Sequence, residues 1–496
     1  MTARYRHADV IVVGGGPAGS VVAWDLARRG VDVLLLERTQ FPRDKVCGDY
    51  VEPRGLRILE LVGCLERLEQ GGLLAITDSA TFVDGQCRYQ GPIPFYGHSA
   101  ELAPHGYIIP RVELDDALLG AAAQAGARVH QKASVIGVHS GPDGVEVTAR
   151  CAGSDVRYRA PLVVGADGAN SVVGSGVGLL ADDERHTAVA QRAYMSGADG
   201  TIGEAVFWFD EQLFPGYGWM FPMADGRVNV GVGILSETRR RLRVHIPSLF
   251  RAFIERARRF HPRSASLEIC TPAIGGVVKT YGGASRNYFH GGVLIGDAGS
   301  FADPMTGEGI TPAFESALLA APVLMRALEA GHFHGPQLSE FEASFRRYFD
   351  PAMDFLDLCA ATLRNHYMAR PWLRALARGC ELAQTDAEFA LIGGSYFGGL
   401  DIRPRGILGQ IWVRIAQDLV LVWPRSTTQL LDPKLQPTGA TIGDLVEWQE
   451  AWSRSALRDP LWHARWTMDV QRKWVRVLAS MTRATTDPRA AGLPDV

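Results

Sequence analysis

The N-terminal part of the chain contains short apolar runs separated by a glycine-rich turn. Residues 10–13 are β-branched and apolar, which suits one buried strand, and residues 31–36 form a second run of this kind. Between them lies a helical stretch that carries Arg28 and Arg29 at its end and is followed by Gly30, the residue type favoured just beyond a helix. The pattern predicts a strand, a turn, a helix and a second parallel strand, in that order.

The spacing of apolar positions divides the rest of the chain into strand-like and helical segments. Residues 75–102 and 187–281 alternate apolar and polar positions between turn residues, which predicts a separate antiparallel sheet. Strands are also expected around residues 133–139 and 144–150, and the pattern is helical from about residue 335 onward. The predicted fold class is therefore α/β, or α+β overall: a Rossmann-like domain, an inserted antiparallel-sheet substrate domain and a C-terminal helical region.

Composition and charge exclude several functional classes. The chain has 496 residues, of which 47% are hydrophobic, so two or three domains are expected. The formal net charge of −3 gives no case for nucleic-acid binding. The seven cysteines are scattered and odd in number, which argues against a disulfide framework or a metal site and fits a reducing cytosol. Since the sequence shows no signal-peptide pattern and no apolar run of membrane length, we expect a cytoplasmic protein that is soluble or attached peripherally to a membrane surface.

The glycine turn after the first strand has the spacing of a dinucleotide-binding site. Gly14 permits the tight turn, Gly16 allows a pyrophosphate to approach the backbone, and Gly19 lets the helix pack close to the sheet. The free amides and the dipole of the helix attract phosphates. Glu37 lies roughly 20 residues beyond the glycines, where a carboxylate accepts hydrogen bonds from the adenosine ribose. This motif alone does not distinguish FAD from NAD.

Two further glycine-rich strand ends occur later in the chain. Asp167 and Gly168 stand where a parallel strand would deliver its loop to a cofactor, although this pair also forms ordinary turns. Asp297 follows a predicted strand, and a carboxylate there can bind sugar-alcohol hydroxyls. Residues 307–309 (Gly-Glu-Gly) open the next helix, so their amides can face an anionic ring edge.

Two segments outside the glycine motifs carry reactive or aromatic side chains. The loop at residues 41–49 combines charges with Cys47 directly after the second strand, and by itself it is equally compatible with a surface loop. Residues 215–222 form an aromatic cluster between two prolines, a pattern more often found in cores than in catalytic sites. Arg111 begins an alanine-rich helical stretch and is expected to be buried.

Tryptophan is concentrated near the C-terminus. Seven of the eleven tryptophans lie beyond residue 400: Trp412, Trp423, Trp448, Trp452, Trp462, Trp466 and Trp474. Residues 445–483 carry seven cations and four acids, a local net charge of +3. Two interpretations are open: a packed helical cap with a solvated basic face, or a helix that lies against lipid or forms a lid over an apolar pocket.

The three nucleotide-type signals, at residues 14–37, 165–168 and 296–309, resemble in their order the FAD-dependent oxidoreductases related to para-hydroxybenzoate hydroxylase. In that superfamily the first signal holds ADP, the second lies near the pyrophosphate, and the third holds the ribityl chain. The resemblance implies FAD as the bound cofactor. Because the superfamily generally has no second Rossmann domain for NAD(P)H, we expect NAD(P)H or a protein electron donor as a transient reductant.

Within that superfamily, three segments look like the geranylgeranyl reductase family: residues 43–49 (RDKVCGD), 217–222 (YGWMFP) and 296–310. Members of that family saturate isoprenoid double bonds. The resemblance implies that Cys47 lies near the isoalloxazine and that the aromatic segment holds a prenyl chain beside it. Tyr50 stands where the family usually has a small residue, which predicts a reshaped pocket mouth.

The motifs and the resemblance together define the expected site and domains. The residues expected to bind FAD are Gly14, Gly16, Pro17, Ala18, Gly19, Glu37, Arg38, Lys45, Val46, Cys47, Arg111, Asp167, Gly168, Gly296, Asp297, Pro304, Gly307, Glu308, Gly309 and Ile310. The expected substrate pocket consists of Phe214, Tyr217, Trp219, Phe221 and Tyr50, and the catalytic candidates are Cys47, Tyr217 and Trp219. The expected domains are an FAD-binding domain of residues 1–75, 103–186 and 285–334, a substrate-binding sheet domain of residues 76–102 and 187–284, and a helical region of residues 335–496.

The leading hypothesis is hydride transfer from reduced FAD to a C=C bond of a large apolar substrate of isoprenoid, polyene or polyketide type. An isolated alkene accepts hydride poorly, so a proton must reach the other carbon. Cys47 and Tyr217, whose unperturbed pKa values are about 8.5 and 10, are the candidate acids. The alternatives are a natural-product monooxygenase that forms a flavin C4a-hydroperoxide and epoxidises or hydroxylates its substrate, and a non-redox FAD-bound cyclase. The halogenase pattern Trp-x-Trp-x-Ile-Pro is only half matched, by Tyr217 and Trp219.

Overall fold

Four β-sheets and thirteen α-helices make up the part of the chain that the computed structural model describes, residues 5–93, 102–142, 144–179, 183–198, 202–350, 352–387, 390 and 442–486. The strands are β1 Arg6–His7, β2 Val10–Val13, β3 Val33–Leu36, β4 Tyr50–Val51, β5 Ala75–Ile76, β6 Asp78–Val83, β7 Gln86–Pro92, β8 Gly106–Ile108, β9 Arg128–His130, β10 Ala133–Gly141, β11 Gly144–Cys151, β12 Ser154–Ala160, β13 Leu162–Gly165, β14 Thr187–Ser196, β15 Ala205–Phe209, β16 Tyr217–Pro222, β17 Val228–Leu235, β18 Glu268–Ile269, β19 Ile274–Lys279, β20 Tyr288–Phe289 and β21 Gly292–Leu294. The helices are α1 Pro17–Ala27, α2 Pro53–Val62, α3 Leu65–Gln70, α4 Arg111–Gln124, α5 Val172–Gly176, α6 Ser236–Arg241, α7 Ile246–Phe260, α8 Ile310–Ala330, α9 Gly335–Phe349, α10 Ala352–Leu363, α11 Ala369–Ala383, α12 Ile442–Arg458 and α13 Pro460–Thr486.

The glycine motif lies at the end of a six-stranded sheet of order β20-β21-β13-β2-β3-β9, in which β20 is antiparallel and the other strands are parallel. Val10 and Val12 of β2 pack against helices on one side of this sheet. Ile11 and Val13 pack on the other side, against the four-stranded sheet β1-β12-β11-β10. The continuous apolar run therefore belongs to a strand buried on both faces, and the predicted strand–turn–helix–strand unit is confirmed.

Helix α1 is buried along its entire length between the parallel sheet and α8. Its buried Asp25 accepts hydrogen bonds from Arg28 Nε at 2.8 Å and Arg29 Nε at 3.0 Å. The two arginines at the end of the helix thus neutralise a carboxylate on the helix itself. Gly30 follows with a φ of +87°, a left-handed conformation that glycine adopts without strain.

The second large sheet has the order β18-β14-β17-β16-β15-β6-β7, and β19 also pairs with β14. It is mostly antiparallel, as predicted, but β6 and β15 run parallel because β6 joins from a distant part of the chain. The strand pattern of residues 187–281 does not predict α6 and α7, which lie within this range. Gly218 allows α7 to approach the sheet, since a β-carbon there would lie 2.6 Å from the Phe253 ring. The three-domain division at the residues given above stays a prediction.

The described part of the C-terminal region is helical, as predicted. Helix α13 packs along α10, and the Trp466 indole donates a hydrogen bond to the Ala361 carbonyl at 2.7 Å. The rings of Trp462 and Trp466 stack with centroids 6.1 Å apart. Trp412 and Trp423 lie outside the described residues.

A buried charged group fixes α13 to the rest of the protein. The Lys473 ammonium donates a hydrogen bond to the Asp357 carboxylate, and His186 Nδ1 lies 3.6 Å from the same carboxylate. Burial lowers the pKa of His186 to about 4, so the imidazole is neutral at pH 7. The cations that pair with Asp357 are Lys473 and Arg476, whose Nη1 lies 3.5 Å from the carboxylate. Within the described residues, no helix has both the length and the apolar character needed to cross a bilayer.

Candidate functional site

One cavity of about 750 Å³ extends from the glycine turn to the aromatic strand β16. This volume is within the range of sites that enclose small molecules and cofactors. The predicted site residues that line it are Gly14, Gly16, Pro17, Ala18, Glu37, Arg38, Lys45, Val46, Cys47, Arg111, Asp167, Gly168, Tyr217, Trp219, Phe221, Gly296, Asp297, Pro304, Gly307, Gly309 and Ile310. The structure therefore brings residues from all three glycine signals and from the aromatic cluster to one cavity.

The glycine turn is tightly packed at two positions and open at the third. A β-carbon on Gly14, whose φ is +101°, would lie 2.4 Å from the Ala166 carbonyl oxygen, and one on Gly19 would lie 1.9 Å from the Gly14 carbonyl oxygen. At Gly16, by contrast, the nearest heavy atom to such a carbon is 3.8 Å away, on Arg43. Gly14 and Gly19 thus serve the packing of α1, whereas Gly16 keeps space free within the cavity.

Two helices begin at this cavity. Gly16 at the start of α1 and Gly309 at the start of α8 both line the cavity, and neither helix has a side-chain cap at that position. Pro17, the next residue of α1, has no amide hydrogen to satisfy. Helix α5 differs, because Ser171 Oγ accepts a hydrogen bond from the Gly174 amide at 2.8 Å. In the first turn of α8, the Glu308 carboxylate accepts a hydrogen bond from the Thr311 amide. The free amides and the dipole of α1 therefore make the start of that helix the one suited to an anionic group of a ligand.

The carboxylate of Glu37 fixes the loops on either side of it. Its Oε2 accepts a hydrogen bond from the Gly15 amide at 2.8 Å. Its Oε1 accepts hydrogen bonds from the Thr39 amide at 2.8 Å and the Thr39 hydroxyl at 2.6 Å. Because Glu37 is buried and also lines the cavity, it holds the glycine turn in place and leaves one acceptor site, on Oε2, for a ribose hydroxyl.

The two later aspartates have different surroundings. Asp167 accepts hydrogen bonds from the Ser171 hydroxyl and from the amides of Val172, at 2.6 Å, and Val173, at 3.2 Å. It therefore organises the start of α5, and Gly168 beside it leaves the backbone accessible to the cavity. Asp297 Oδ2 lies 3.5 Å from the ammonium of half-exposed Lys45, which joins the third glycine signal to the loop at residues 41–49.

A buried ion cluster beside the glycine turn includes a residue that the sequence did not single out. Arg111 donates two hydrogen bonds to Asp115, at 2.8 and 2.7 Å, and is buried as predicted. Arg43 Nη1 lies 2.8 Å from the same carboxylate, and its guanidinium stacks over Phe41 at 4.7 Å. Arg43 also faces Gly16, so it is the cation placed to meet an anion at the start of α1. In the sequence, the run of charged residues around Cys47 was the feature that could have indicated Arg43.

A network centred on Asn229 joins the Cys47 loop to the aromatic strand. Asn229 Nδ2 donates to the Cys47 carbonyl at 2.9 Å and to Asp49 Oδ2 at 2.8 Å, while its Oδ1 accepts from the Trp219 indole at 2.9 Å. The Tyr194 hydroxyl donates to the same Asp49 oxygen at 2.6 Å. Asn229 and Tyr194 were not predicted, because a single polar residue within a strand gives no signal of a long-range partner. Asp49 was part of the segment 43–49, but its partners were not predicted.

Burial changes the pKa values of the acids in this network. It raises the pKa of Asp49 to about 6, against the opposing effects of its Tyr194 hydrogen bond and the Arg192 charge. Burial also raises the pKa of the Cys47 thiol, and the Asp49 charge adds to this effect. The pKa of Tyr217 is raised mainly by burial as well. At neutral pH, Cys47 and Tyr217 therefore hold their protons.

The aromatic wall of the cavity comes from alternate residues of β16. Tyr217, Trp219 and Phe221 share one face of the strand, with ring centroids 5.9 Å apart for the first pair and 6.3 Å for the second. Gly231, opposite Trp219 on β17, makes room for the indole, since a β-carbon there would lie 2.1 Å from the ring. The Tyr217 hydroxyl donates a hydrogen bond to the Thr306 carbonyl.

Four of the predicted site residues do not line the cavity. Phe214 packs against Val83, Ala369 and Leu373. Its amide donates a hydrogen bond to the Asp210 carbonyl, and the turn closed by this bond directs the Phe214 side chain away from the cavity. Tyr50 packs against Phe221 at 6.1 Å, in space left by the missing side chain of Gly106, so it does not reshape the cavity mouth as predicted.

The other two lie just behind the cavity wall. Glu308 accepts a hydrogen bond from the Thr311 amide at 2.8 Å and so stabilises the first turn of α8. Gly19 lies one turn inside α1, where it packs against the backbone of Gly14.

Comparisons with known proteins agree with this geometry. The FAD binding domain family matches residues 7–243. The chain is 34% identical to a menaquinone reductase of Mycobacterium tuberculosis over 332 residues, which are 64% of this chain and 76% of that relative. It is 30% identical to a digeranylgeranylglycerophospholipid reductase of Methanosarcina mazei over 349 residues, 68% of this chain and 80% of the relative.

The chain belongs to the geranylgeranyl reductase family of FAD-dependent oxidoreductases. Solved structures share its fold: a geranylgeranyl bacteriochlorophyll reductase-like protein of Thermoplasma acidophilum has a TM-score of 0.68 at 22% identity, over 82% of this chain and 99% of that one. A flavin-dependent brominase has a TM-score of 0.65 at 18% identity, over 85% of this chain and the whole of the other. The likeness to the brominase shows a common fold and carries no argument about halogenation.

FAD is the cofactor of this family, and the residues of the cavity fit it. The open space at Gly16 and the uncapped start of α1 suit the pyrophosphate, with Arg43 as the nearby cation. Glu37 suits the adenosine ribose, and Asp297, with the glycines at the start of α8, suits the ribityl chain. The aromatic wall of Tyr217, Trp219 and Phe221 lines the same cavity, so an apolar substrate would share it with the cofactor.

The substitution Gly16→Val is expected to abolish FAD binding without unfolding the protein. A β-carbon at Gly16 meets no atom closer than 3.8 Å, so the fold accepts it, but the side chain occupies the ligand space. We expect the purified variant to lack flavin absorbance, because the side chain fills the space through which a pyrophosphate approaches the backbone. Flavin absorbance per protein, measured together with far-UV circular dichroism, tests this. Gly137→Val, at a strand position with open space outside the cavity, is the control and should retain FAD.

The substitution Asp49→Asn is expected to remove a pH dependence of stability. The folded carboxyl has a pKa near 6, whereas the unfolded one titrates near 4. Its contribution to the free energy of unfolding is therefore full below about pH 4 and lost as the pH rises through 6, a change of about 3 kcal/mol. An asparagine side chain can keep the two accepted hydrogen bonds, because Asp49 Oδ1 has no partner among the described residues.

Urea denaturation between pH 4 and 7 measures this difference. The Asp49→Asn variant should give a flatter profile of unfolding free energy against pH than the wild type. Equal slopes for the two proteins would contradict the assignment. The control Glu60→Gln, on an exposed side chain of α2, should keep the wild-type slope.

Proposed function

We propose that the protein reduces carbon–carbon double bonds of a large apolar substrate of isoprenoid type, with hydride supplied by reduced FAD. The observation that carries the proposal is the single cavity that joins the FAD-binding turn to the wall of Tyr217, Trp219 and Phe221. The relatives named menaquinone reductase and digeranylgeranylglycerophospholipid reductase support this substrate class. In this proposal, NAD(P)H or an electron-transfer protein reduces the FAD, and the scattered cysteines support a cytoplasmic location.

The residues of the cavity have distinct tasks in this reaction. The aromatic wall binds and orients the apolar chain and excludes water from the double bond, because ring surfaces bury large apolar areas. Asn229 fixes the Trp219 indole and the Cys47 backbone relative to each other through its three hydrogen bonds. The loop and the wall therefore keep one geometry while the substrate binds.

Cys47 is the better placed of the two candidate acids. Hydride reaches one carbon of the double bond, and a proton must reach the other. The Tyr217 hydroxyl already donates its proton to the Thr306 carbonyl. Cys47 lines the cavity, its thiol donates no hydrogen bond within the described residues, and its raised pKa keeps the proton on Sγ at neutral pH. We infer that the thiol supplies this proton and regains one from solvent between turnovers.

Anaerobic turnover distinguishes this function from oxygen-dependent chemistry on the same fold. The protein, reduced with dithionite under nitrogen, is expected to saturate a prenylated quinone or a prenylated lipid and to oxidise its FAD in the same step. Mass spectrometry should show a gain of two hydrogens per reduced bond. Product that forms only with oxygen would establish a monooxygenase, and product with an unchanged hydrogen count would establish a cyclase. The FAD-free Gly16→Val variant is the control and should give no product.

The substitution Cys47→Ala is expected to lower anaerobic turnover about one-hundred-fold, the lower range for loss of a general acid. FAD content should equal that of the wild type, because the cofactor contacts at Gly16 and Glu37 are unaffected. Cys87→Ala, at an exposed thiol outside the cavity, is the matched control and should keep wild-type turnover. Unchanged turnover in the Cys47→Ala protein would remove Cys47 from the reaction.

A further inference from the structure

The outer side of helix α13 carries a row of exposed apolar side chains. Leu461, Met468 and Val475 are spaced by seven residues, so they lie on one side of the helix. Their exposed fractions are 77%, 47% and 67%. Leu457, at the end of α12, is 83% exposed. Isolated exposed apolar residues are common, but a row of this length on one helix indicates a surface that binds something apolar.

Cations accompany this row. Arg465 and Arg472 are exposed and lie on the same side of α13 as the apolar residues. Neither forms an ion pair with any residue that the structure describes. The two acids nearest to this side have other partners: Asp469 of α13 pairs with Arg364, and Asp459, between the two helices, lies 3.1 Å from Arg241. The outer side of α13 is therefore both apolar and positively charged.

The opposite side of α13 is firmly attached to the wall of the cavity. Trp466 and Lys473 bind α10 through the Ala361 carbonyl and the Asp357 carboxylate. Helix α10 in turn contributes Ala360 and Leu363 to the cavity lining. The exposed row thus lies on the outer side of the helical layer that closes the substrate end of the cavity.

We propose that this face, Leu457, Leu461, Arg465, Met468, Arg472 and Val475, binds the surface of an anionic phospholipid bilayer. An interfacial helix has this composition, because its apolar side chains enter the acyl boundary while arginines contact lipid phosphates. The charge favours lipid over a second copy of the chain, since a two-fold interface would bring the arginines of both copies together. The proposal rests on the proposed function, in which the substrate is apolar enough to reside in a membrane.

Flotation with lipid vesicles tests this surface on the FAD-loaded protein. The wild type is expected to float with vesicles of equal phosphatidylcholine and phosphatidylglycerol and to stay in solution with phosphatidylcholine alone. The double variant Arg465→Gln/Arg472→Gln should have about a thirty-fold lower partition coefficient, since each arginine near an anionic surface contributes roughly one factor of five. The variant Leu461→Glu/Val475→Glu should not float.

Matched controls replace exposed side chains elsewhere, Arg251→Gln/Arg347→Gln and Ile136→Glu/Ile269→Glu, and both should float as the wild type does. A wild type that ignores anionic vesicles, or face variants that float normally, would overturn the proposal. The proposal would also be overturned if light scattering showed that the wild type is a dimer and that the variant Leu461→Glu/Val475→Glu is a monomer. Turnover of detergent-solubilised substrate should be equal in all these variants. A variant that no longer floats but keeps full turnover has therefore lost membrane binding without a change in the active site. Flotation without any wild-type turnover would contradict the proposed function and leave the surface intact.

Discussion

The close approach of helix α1 to the parallel sheet is the constraint on which the site depends. Gly19 packs so near the Gly14 carbonyl that a β-carbon would lie 1.9 Å from its oxygen, and Gly14 is similarly close to the Ala166 carbonyl. This contact places the uncapped start of α1 at the mouth of the cavity with Gly16 facing open space. Anion binding by the helix end and access of a dinucleotide to the backbone both follow from it.

A second constraint couples the cofactor side of the cavity to its apolar side. Asn229 lies in the eight-stranded sheet, yet its amide holds the Cys47 carbonyl, the Asp49 carboxylate and the Trp219 indole together. The buried Asp49 is ionised only above about pH 6, so this junction has a pH-dependent charge close to the guanidinium groups of Arg192 and Arg111. The loop that follows the second strand and the aromatic wall therefore behave as one unit in the lining of the cavity.

The sequence predicted those parts of the site that follow from local spacing. The turn at Gly14, Gly16 and Gly19 and the alternation of Tyr217, Trp219 and Phe221 are periodic features of short segments, and the structure places them as the periodicity requires. Asn229 and the roles of Arg43 and Asp49 within their segment could not be found in this way, because these roles come from partners that lie far away along the chain. The errors have a similar origin. Phe214 was assigned to the pocket by its nearness in sequence to Tyr217, but the turn at Asp210 sends its ring towards α11. Tyr50 was judged by its size alone, whereas Gly106 provides a separate space for its ring.

The central claim is that FAD and an apolar chain share one cavity, with the flavin ring between the Cys47 loop and β16. A crystal structure of the FAD-loaded protein with a prenylated substrate analogue tests it most directly. The account predicts the pyrophosphate at Gly16 and the prenyl chain in contact with Trp219 and Phe221. A prenyl chain bound away from this wall, or an FAD pyrophosphate away from the start of α1, would contradict it.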